Sequence, residues 1–273
     1  MIRFVLAFIL VAGSAAAQDR RPSHCIAIAD AAPGIEYIQK ASFTEPVPEF
    51  SVRISYVDHS MFLIQTVGGL SAVTDYAGYL GITEFIPTVV TMNNAHSSHW
   101  TVSPDPRIPN ILEGWDYSNP DGADHYLDFG EMLVRNVSTD IRGRFGEGAI
   151  ENGNSIFVFE VEGLCIGHLG HLHHMPNDAQ FAALGRLDVV MAAVDGGLTL
   201  PVPEMITLLK RLKSSIVLPM HWFGRATLDS FLAGMSDEFD IDRTGEQSFE
   251  VSLRTLPSRP TVMVLEPRLL FTD

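Results

Sequence analysis

The sequence predicts an α/β chain, a mixed sheet architecture with helices on its outer faces. Three observations carry this. The first half is written in short alternating or apolar runs that read as strands. The second half repeats strand, loop and helix. The 273 residues, 46% of them hydrophobic, suffice to bury one large core. No low-complexity stretch or internal repeat divides the chain.

The N-terminus is set apart from the fold. Arg3 is a positive start, Phe4 to Ala12 is unbroken apolar, and Ala15-Ala16-Ala17 before Gln18 fits a cleavage site. We expect a signal peptide over residues 1–17, with export to a periplasm or the exterior after cleavage near Ala17. The run is far shorter than the ~20 residues of a spanning helix. A retained N-terminal anchor is the alternative. Residues 18–49, rich in Pro, Ala and charge, read as an arm, and 50–273 as the folded domain. Cys25 lies in the arm and Cys165 in an apolar strand pattern. A buried free thiol is the expected state of Cys165, and a Cys25–Cys165 bridge is the alternative that export would allow.

Phe50, Val52, Ile54 and Tyr56 alternate with polar residues, as a half-buried strand does. Met61 to Ile64, the turn Gly68-Gly69 and Ser71 to Thr74 complete a meander ending at Asp75. An apolar run within Phe85 to Thr91 leads into Asn93-Asn94-Ala95-His96. Met132 to Val137 reads as a strand ending near Thr139-Asp140. Ser155 to Glu162 alternates, and Leu164-Cys165-Ile166 leads to Gly167-His168. A helix with Asn177 as its cap runs through Ala183. Asp188 to Val194 is a strand followed by the turn Asp195-Gly196-Gly197. Pro203 to Lys213 is a helix with basic residues late, where they suit its dipole. Ile216-Val217-Leu218 runs into Pro219-Met220-His221, and Ala226 to Met235 is helical. Phe249 to Leu256 and Val262 to Leu265 close the chain as strands, so that hairpins are expected at both ends.

A formal net charge of -15 excludes nucleic acid and anionic membrane surfaces as partners, since both need a basic patch. The expected partner is a small-molecule substrate.

Ten histidines are the chemical signal. His24 in the arm and His125 in a polar loop read as ordinary surface residues. Seven others follow predicted strands: His96 and His99 as H-x-x-H, then His168, His171, His173 and His174, and last His221 beside Trp222 and Phe223. Ligands gather at strand ends in such folds. Neutral imidazole is the commonest ligand of zinc and its neighbours. Three strand-end loops that each carry histidine therefore point to one metal site. Trp222 and Phe223 are expected in the core, with walls of the pocket as the alternative.

The order of these motifs resembles the metallo-β-lactamase superfamily, and within it the lactonase-like branch typified by ascorbate-6-phosphate lactonase. Asp58-His59-Ser60 matches part of a G-H-x-S motif, and Asp75 ends the next strand. Asn94 to His99 aligns with H-x-H-x-D-H, Val137 to Ile141 with V-P-T-x-H, His168-Leu169-Gly170-His171 with H-L-G-D, and Pro219-Met220-His221 with P-M-H. The resemblance implies a four-layer αβ/βα sandwich over about Phe50 to Leu265. Four positions depart from the pattern: Asn94 and Ile141 stand for histidines, Ser98 and His171 for aspartates. With both carboxylates gone, a bridged metal pair is disfavoured.

The resemblance then implies one ion, zinc or else manganese or iron, held by His96, His99, His171 and His221. Asp140 would serve as added ligand, partner or general base, and Asn94 would orient substrate or water. Asp75, His59, Ser98, His168 and His174 are expected as outer partners that orient the ligands. The implied activity is hydrolysis of an ester, lactone or phosphoester by a metal-activated water. A non-catalytic metal- or small-molecule-binding protein on the same fold is the alternative, and a redox site among the histidines a third.

Overall fold

The structure is a computed structural model that describes residues 20–27, 42–143 and 148–272. The expected signal peptide lies outside the described residues, as does much of the arm. In chain order the elements are α1 (His24–Ala27), β1 (Val52–Asp58), β2 (Met61–Gln65), β3 (Ser71–Val73), β4 (Gly81–Ile82), β5 (Val89–Met92), β6 (Asn110–Glu113), β7 (Tyr126–Asp128), β8 (Met132–Arg142), β9 (Ala149–Val161) and β10 (Leu164–His168). There follow α2 (Asp178–Leu184), β11 (Val189–Ala193), α3 (Val202–Leu212), β12 (Ile216–Met220), α4 (Arg225–Met235), β13 (Asp240–Arg243), β14 (Ser248–Val251), β15 (Thr261–Val264) and β16 (Leu270–Phe271).

Two sheets carry the fold. One has the order β14-β1-β2-β3-β5-β6, the other β13-β15-β12-β11-β10-β9-β8-β7, and β4 pairs with β16 apart from both. Ile54, Phe62 and Phe249 of the six-stranded sheet meet Phe157, Phe159, Met191 and Leu218 of the eight-stranded sheet in one buried layer. The outer face of the larger sheet is covered by α3 and α4, through Met205, Leu208, Leu209, Phe231 and Leu232. Over the outer face of the smaller sheet pack loop residues such as Tyr76, Leu80, Ile108 and Trp100. This stack of two sheets with outer layers is the metallo-β-lactamase type of architecture expected. No helix among the described residues is long and apolar enough to cross a membrane.

Several local expectations are corrected. The first strand begins at Val52 rather than Phe50, which is exposed in a turn, and it is buried on both faces rather than one, because cores lie on either side of its sheet. Even Arg53 is buried there, bonded to Glu250 at 2.5 Å and to the Pro46 carbonyl at 3.0 Å. β8 does not end at Asp140 but continues to Arg142, with a register shift between Thr139 and Ile141. Among the described residues no hairpin closes the chain. β14 pairs with β1 in one sheet, while β15 lies between β12 and β13 in the other.

Cys165 is not a free thiol but is bonded to Cys25, closing a sequence separation of 140. The start of the arm is thereby anchored. The buried Glu160 carboxylate accepts from Ser23 Oγ, the His24 amide and Arg135 Nε, at 2.5, 3.1 and 2.8 Å. His24 is thus no ordinary surface residue, for its Nδ1 lies 3.1 Å from Glu160. His125 is half-buried rather than an ordinary surface residue, its ring stacked 5.9 Å from that of Phe157 and its Nε2 donating to the Glu113 carbonyl at 2.7 Å.

One feature of the topology positions the site. β10, β11 and β12 are adjacent and parallel, so their C-terminal ends open on one edge of the sheet. The loops that follow all three carry chemistry.

Candidate metal centre

His99 follows β5, His171 follows β10, Asp195 follows β11, His221 follows β12, and His59 sits in the turn between β1 and β2. His99 and His221 are buried and face each other, with their Nε2 atoms 3.2 Å apart. Each is backed by a carboxylate. Asp75 Oδ2 lies 2.6 Å from His99 Nδ1, and Asp195 Oδ2 lies 3.0 Å from His221 Nδ1, off the line of a good hydrogen bond. Asp75 is itself fixed by the Asn93 amide at 3.0 Å. Asp195 is held by the amides of Gly197, Leu198 and Thr199 and by the Thr199 hydroxyl.

A carboxylate behind a histidine keeps the proton on Nδ1 and leaves Nε2 as a lone pair. Two such lone pairs at 3.2 Å repel unless a proton or a cation lies between or beside them. Nitrogen ligands at ~2.0–2.1 Å from a tetrahedral zinc are roughly 3.3 Å apart. The donor pair therefore fits a first-row divalent ion.

His59 stands beside the pair, its ring 4.0 Å from that of His221 and 5.5 Å from that of His99. Donor atoms of His59, His99 and His221 all lie within 4.8 Å of one another. His171 is also buried, with its amide donating to Asn154 Oδ1 at 2.9 Å and its ring 4.6 Å from that of His99. Its Nδ1 is buried without a hydrogen-bond partner, as is His59 Nε2. Gly170 is what admits this loop. Its φ is +62°, and a Cβ there would meet Asn154 Oδ1 and Asn93 Nδ2 at 2.6 Å.

Electrostatics favour neutral donors. Burial, then neighbouring imidazoles, hold His99 well below the usual histidine range, His59 at about 4 and His171 at about 2. Burial pushes Asp75 up to about 6, against the pull of His168 and the Asn93 amide. For Asp195 burial acts upward too, but the nearby His221 and hydrogen bonds from Thr199 and Gly197 outweigh it and hold the carboxyl below its usual range.

The structure brings together three of the expected ligands, His99, His171 and His221, with the expected outer partners Asp75 and His59. His96 lies at their solvent-exposed border, its ring 5.8 Å from that of His99. It is exposed, its Nδ1 lies 3.0 Å from Ser98 Oγ, and its ring is 5.5 Å from that of His171. His168 is buried beside the site but committed, with Nε2 donating to the Ser60 carbonyl at 2.8 Å and Nδ1 accepting from Asn93 at 3.1 Å. His174 is exposed, its ring 6.5 Å from that of His173. Asp140 accepts from the Asn152 amide at 3.0 Å, and among the described residues none of its hydrogen bonds or ion pairs reaches a histidine. The Asn94 carbonyl accepts from the His96 amide at 2.7 Å and so shapes the loop.

Phe223 is not core. It is 67% exposed, with its ring 5.3 Å from that of His221 and 5.6 Å from that of His59. Trp222 does pack inward, edge-on to Tyr56 at 5.6 Å. Asp195 is the residue that sequence reasoning missed. Its Asp-Gly-Gly context reads as a turn, yet it ends a buried strand just as the histidines do.

Two stacked sheets with buried nitrogen donors at their strand ends make an arrangement able to hold a metal ion. The Beta-lactamase superfamily domain profile matches residues 53–221, and the chain belongs to the metallo-β-lactamase superfamily. No curated protein sequence matches it. Among solved structures it resembles a Thermotoga maritima protein of that superfamily, at 23% identity over 80% of this chain and 100% of that one, with a TM-score of 0.57. It is also similar to Igni18, a metallo hydrolase from Ignicoccus hospitalis, at 13% identity over 68% of this chain and 91% of that one, with a TM-score of 0.50. An isothiocyanate hydrolase from Delia radicum gut bacteria matches at 13% identity, over 73% of this chain and 98% of that one, with a TM-score of 0.50. At these identities the likeness is one of fold.

Proposed function

We propose that the chain is a metal-dependent hydrolase with a single divalent ion, zinc or else manganese or iron, acting on an ester, lactone or phosphoester. The observation that carries this is the pair of carboxylate-backed histidines whose Nε2 atoms lie 3.2 Å apart. The hydrolases among the similar folds support the reaction class. A lactone substrate rests on the branch that the motifs resemble.

His99 and His221 would hold the ion, with further donors from the imidazoles around them. When bound, such an ion supplies a Lewis acid and a water acidified to a pKa of ~7. The chain supplies the rest. Asp75 and Asp195 orient the two imidazoles and balance the charge of one dication. Ser98 and His171 stand where carboxylates would be needed to bridge a second. His171, buried beside His99 and held neutral, offers its unpaired Nδ1 as a hydrogen-bond acceptor within the site. Phe223 shields one side from water. Asn94 and Asp140 serve the loop and the hairpin that frame the site. Export follows from the N-terminal pattern, and the Cys25–Cys165 disulfide suits an oxidising compartment.

A second reading, a metal- or small-molecule-binding protein without catalysis, is favoured by the same Ser98 and His171. Metal analysis of the purified protein, with turnover assays on ester, lactone and phosphoester panels, separates the two. Bound metal with turnover supports the hydrolase. Bound metal without turnover supports the binder. Metal-free, inactive protein overturns both.

A further inference from the structure

We infer that His59, not His96, is the third protein ligand of the metal centre. The inference rests on the single-ion reading above and goes beyond it by assigning a ligand from the β1–β2 turn. Four observations converge.

The first is proximity. Among the described residues, His59, His99 and His221 form a set in which each offers one donor atom and all three atoms lie within 4.8 Å of one another. No set of that kind includes His96.

The second is an unmet need. His59 Nε2 is buried and has no hydrogen-bond partner. A buried polar nitrogen left unpaired costs about 1–3 kcal/mol, so a partner from outside the chain is called for. His96 has no such need, being exposed and beside Ser98 Oγ.

The third is preorganisation. His59 has a φ of +42° and His221 a φ of +61°, a region that non-glycine residues rarely occupy. The two residues are tied together, since the His59 carbonyl accepts both the His221 amide at 3.0 Å and the Tyr56 hydroxyl at 2.6 Å. Tyr56 is buried and stacked on Phe62 at 4.4 Å, so the turn is anchored in the core. Both strained residues place their rings 4.0 Å apart, and strain held this firmly is a mark of a functional site.

The fourth is charge. Three neutral imidazoles leave the +2 charge to Asp75 and Asp195, which stand behind His99 and His221. Three nitrogen donors plus one open position is a catalytic arrangement for zinc. It requires no aspartate at Ser98 or His171, the two positions where this chain lacks one. The loss of the H-x-H-x-D-H pattern is thereby compensated by a histidine from a different turn.

The test is metal affinity rather than activity. Zinc binding to the apo full-length protein is measured by competition with a chromophoric chelator, and the visible spectrum of the cobalt-substituted protein is recorded. The proteins compared are wild type, His59→Ala, His59→Gln and His96→Ala. Thermal melting in EDTA checks that each variant folds. We expect both His59 variants to weaken zinc binding by more than the ~10–100-fold that loss of an outer partner costs, and to change the cobalt spectrum. His96→Ala should keep affinity and spectrum close to wild type. Unchanged affinity in the folded His59 variants, or an equal loss in His96→Ala, would overturn the assignment while leaving the metal reading in place. A wild-type chain that binds no metal would instead overturn the metal reading itself.

Discussion

His99 and His221 lie 122 residues apart in sequence, and their Nε2 atoms lie 3.2 Å apart in space. Each is turned toward the other by a buried aspartate at the end of a different strand. Asp75 follows β3 and Asp195 follows β11, so the two sheets each contribute one imidazole and one carboxylate.

Replacement of either carboxylate should therefore loosen the ion without removing a ligand. For Asp75→Asn and Asp195→Asn we predict a loss of ~10–100-fold in zinc affinity, measured by chelator competition. Wild-type affinity in both would show that the aspartates do not orient the ligands.

The metal-free protein should lose stability in acid. His59 at about 4, His173 at about 4, His171 at about 2 and His99 well below its usual value all take up protons more readily when unfolded. Their contribution is present above pH ~6.5 and is lost as pH falls toward about 4. Asp75, raised to about 6, acts in the opposite sense between pH ~3.8 and 6. His168 is lowered by burial as well and Asp188 raised by it, so two carboxyls stand against five imidazoles and the histidines dominate. Urea midpoints of EDTA-treated protein should fall from pH 7 to pH 5, and a flat or rising trend would refute this.

The Cys25–Cys165 bond closes a long loop and pins the arm to the larger sheet. Its removal in a Cys25→Ala, Cys165→Ala double variant should cost about 2–5 kcal/mol of unfolding free energy in denaturant titrations. Thiol titration of the unfolded, unreduced protein should find no free thiol, and two free thiols would contradict the bridge.

Gly170→Ala should damage the site through the backbone. Its left-handed φ and the 2.6 Å approach of Asn93 and Asn154 leave no room for a methyl group. We expect a loss of about 1–3 kcal/mol in stability together with weaker metal binding. An alanine variant with wild-type melting temperature and affinity would show that the loop adapts freely.

Much of the fold was legible because long buried strands announce themselves. The apolar runs at Val189–Ala193 and Ile216–Met220 and the Asn177 cap of α2 could be read directly. Short, partly exposed edge strands could not. β6, β7 and β13 are three or four residues long and carry little apolar pattern. Pairing was equally hidden, since β14 joins a strand almost 200 residues away and local sequence holds no trace of that partner. In the site, His99, His171 and His221 could be found because histidine after a strand is conspicuous. His59 was read as an outer partner because its turn lies early and its neighbours come from distant strands. Asp195 was hidden by an ordinary turn motif, and its role is visible only once β11 is seen lying beside β12.

The most direct test of the central claim is elemental analysis of the purified full-length protein after dialysis against metal-free buffer. A single metal site built on His99 and His221 predicts close to one equivalent of a first-row transition metal per chain, lost in a His99→Ala, His221→Ala variant that still folds. No bound metal in the wild type, or full retention of metal by that variant, would contradict it.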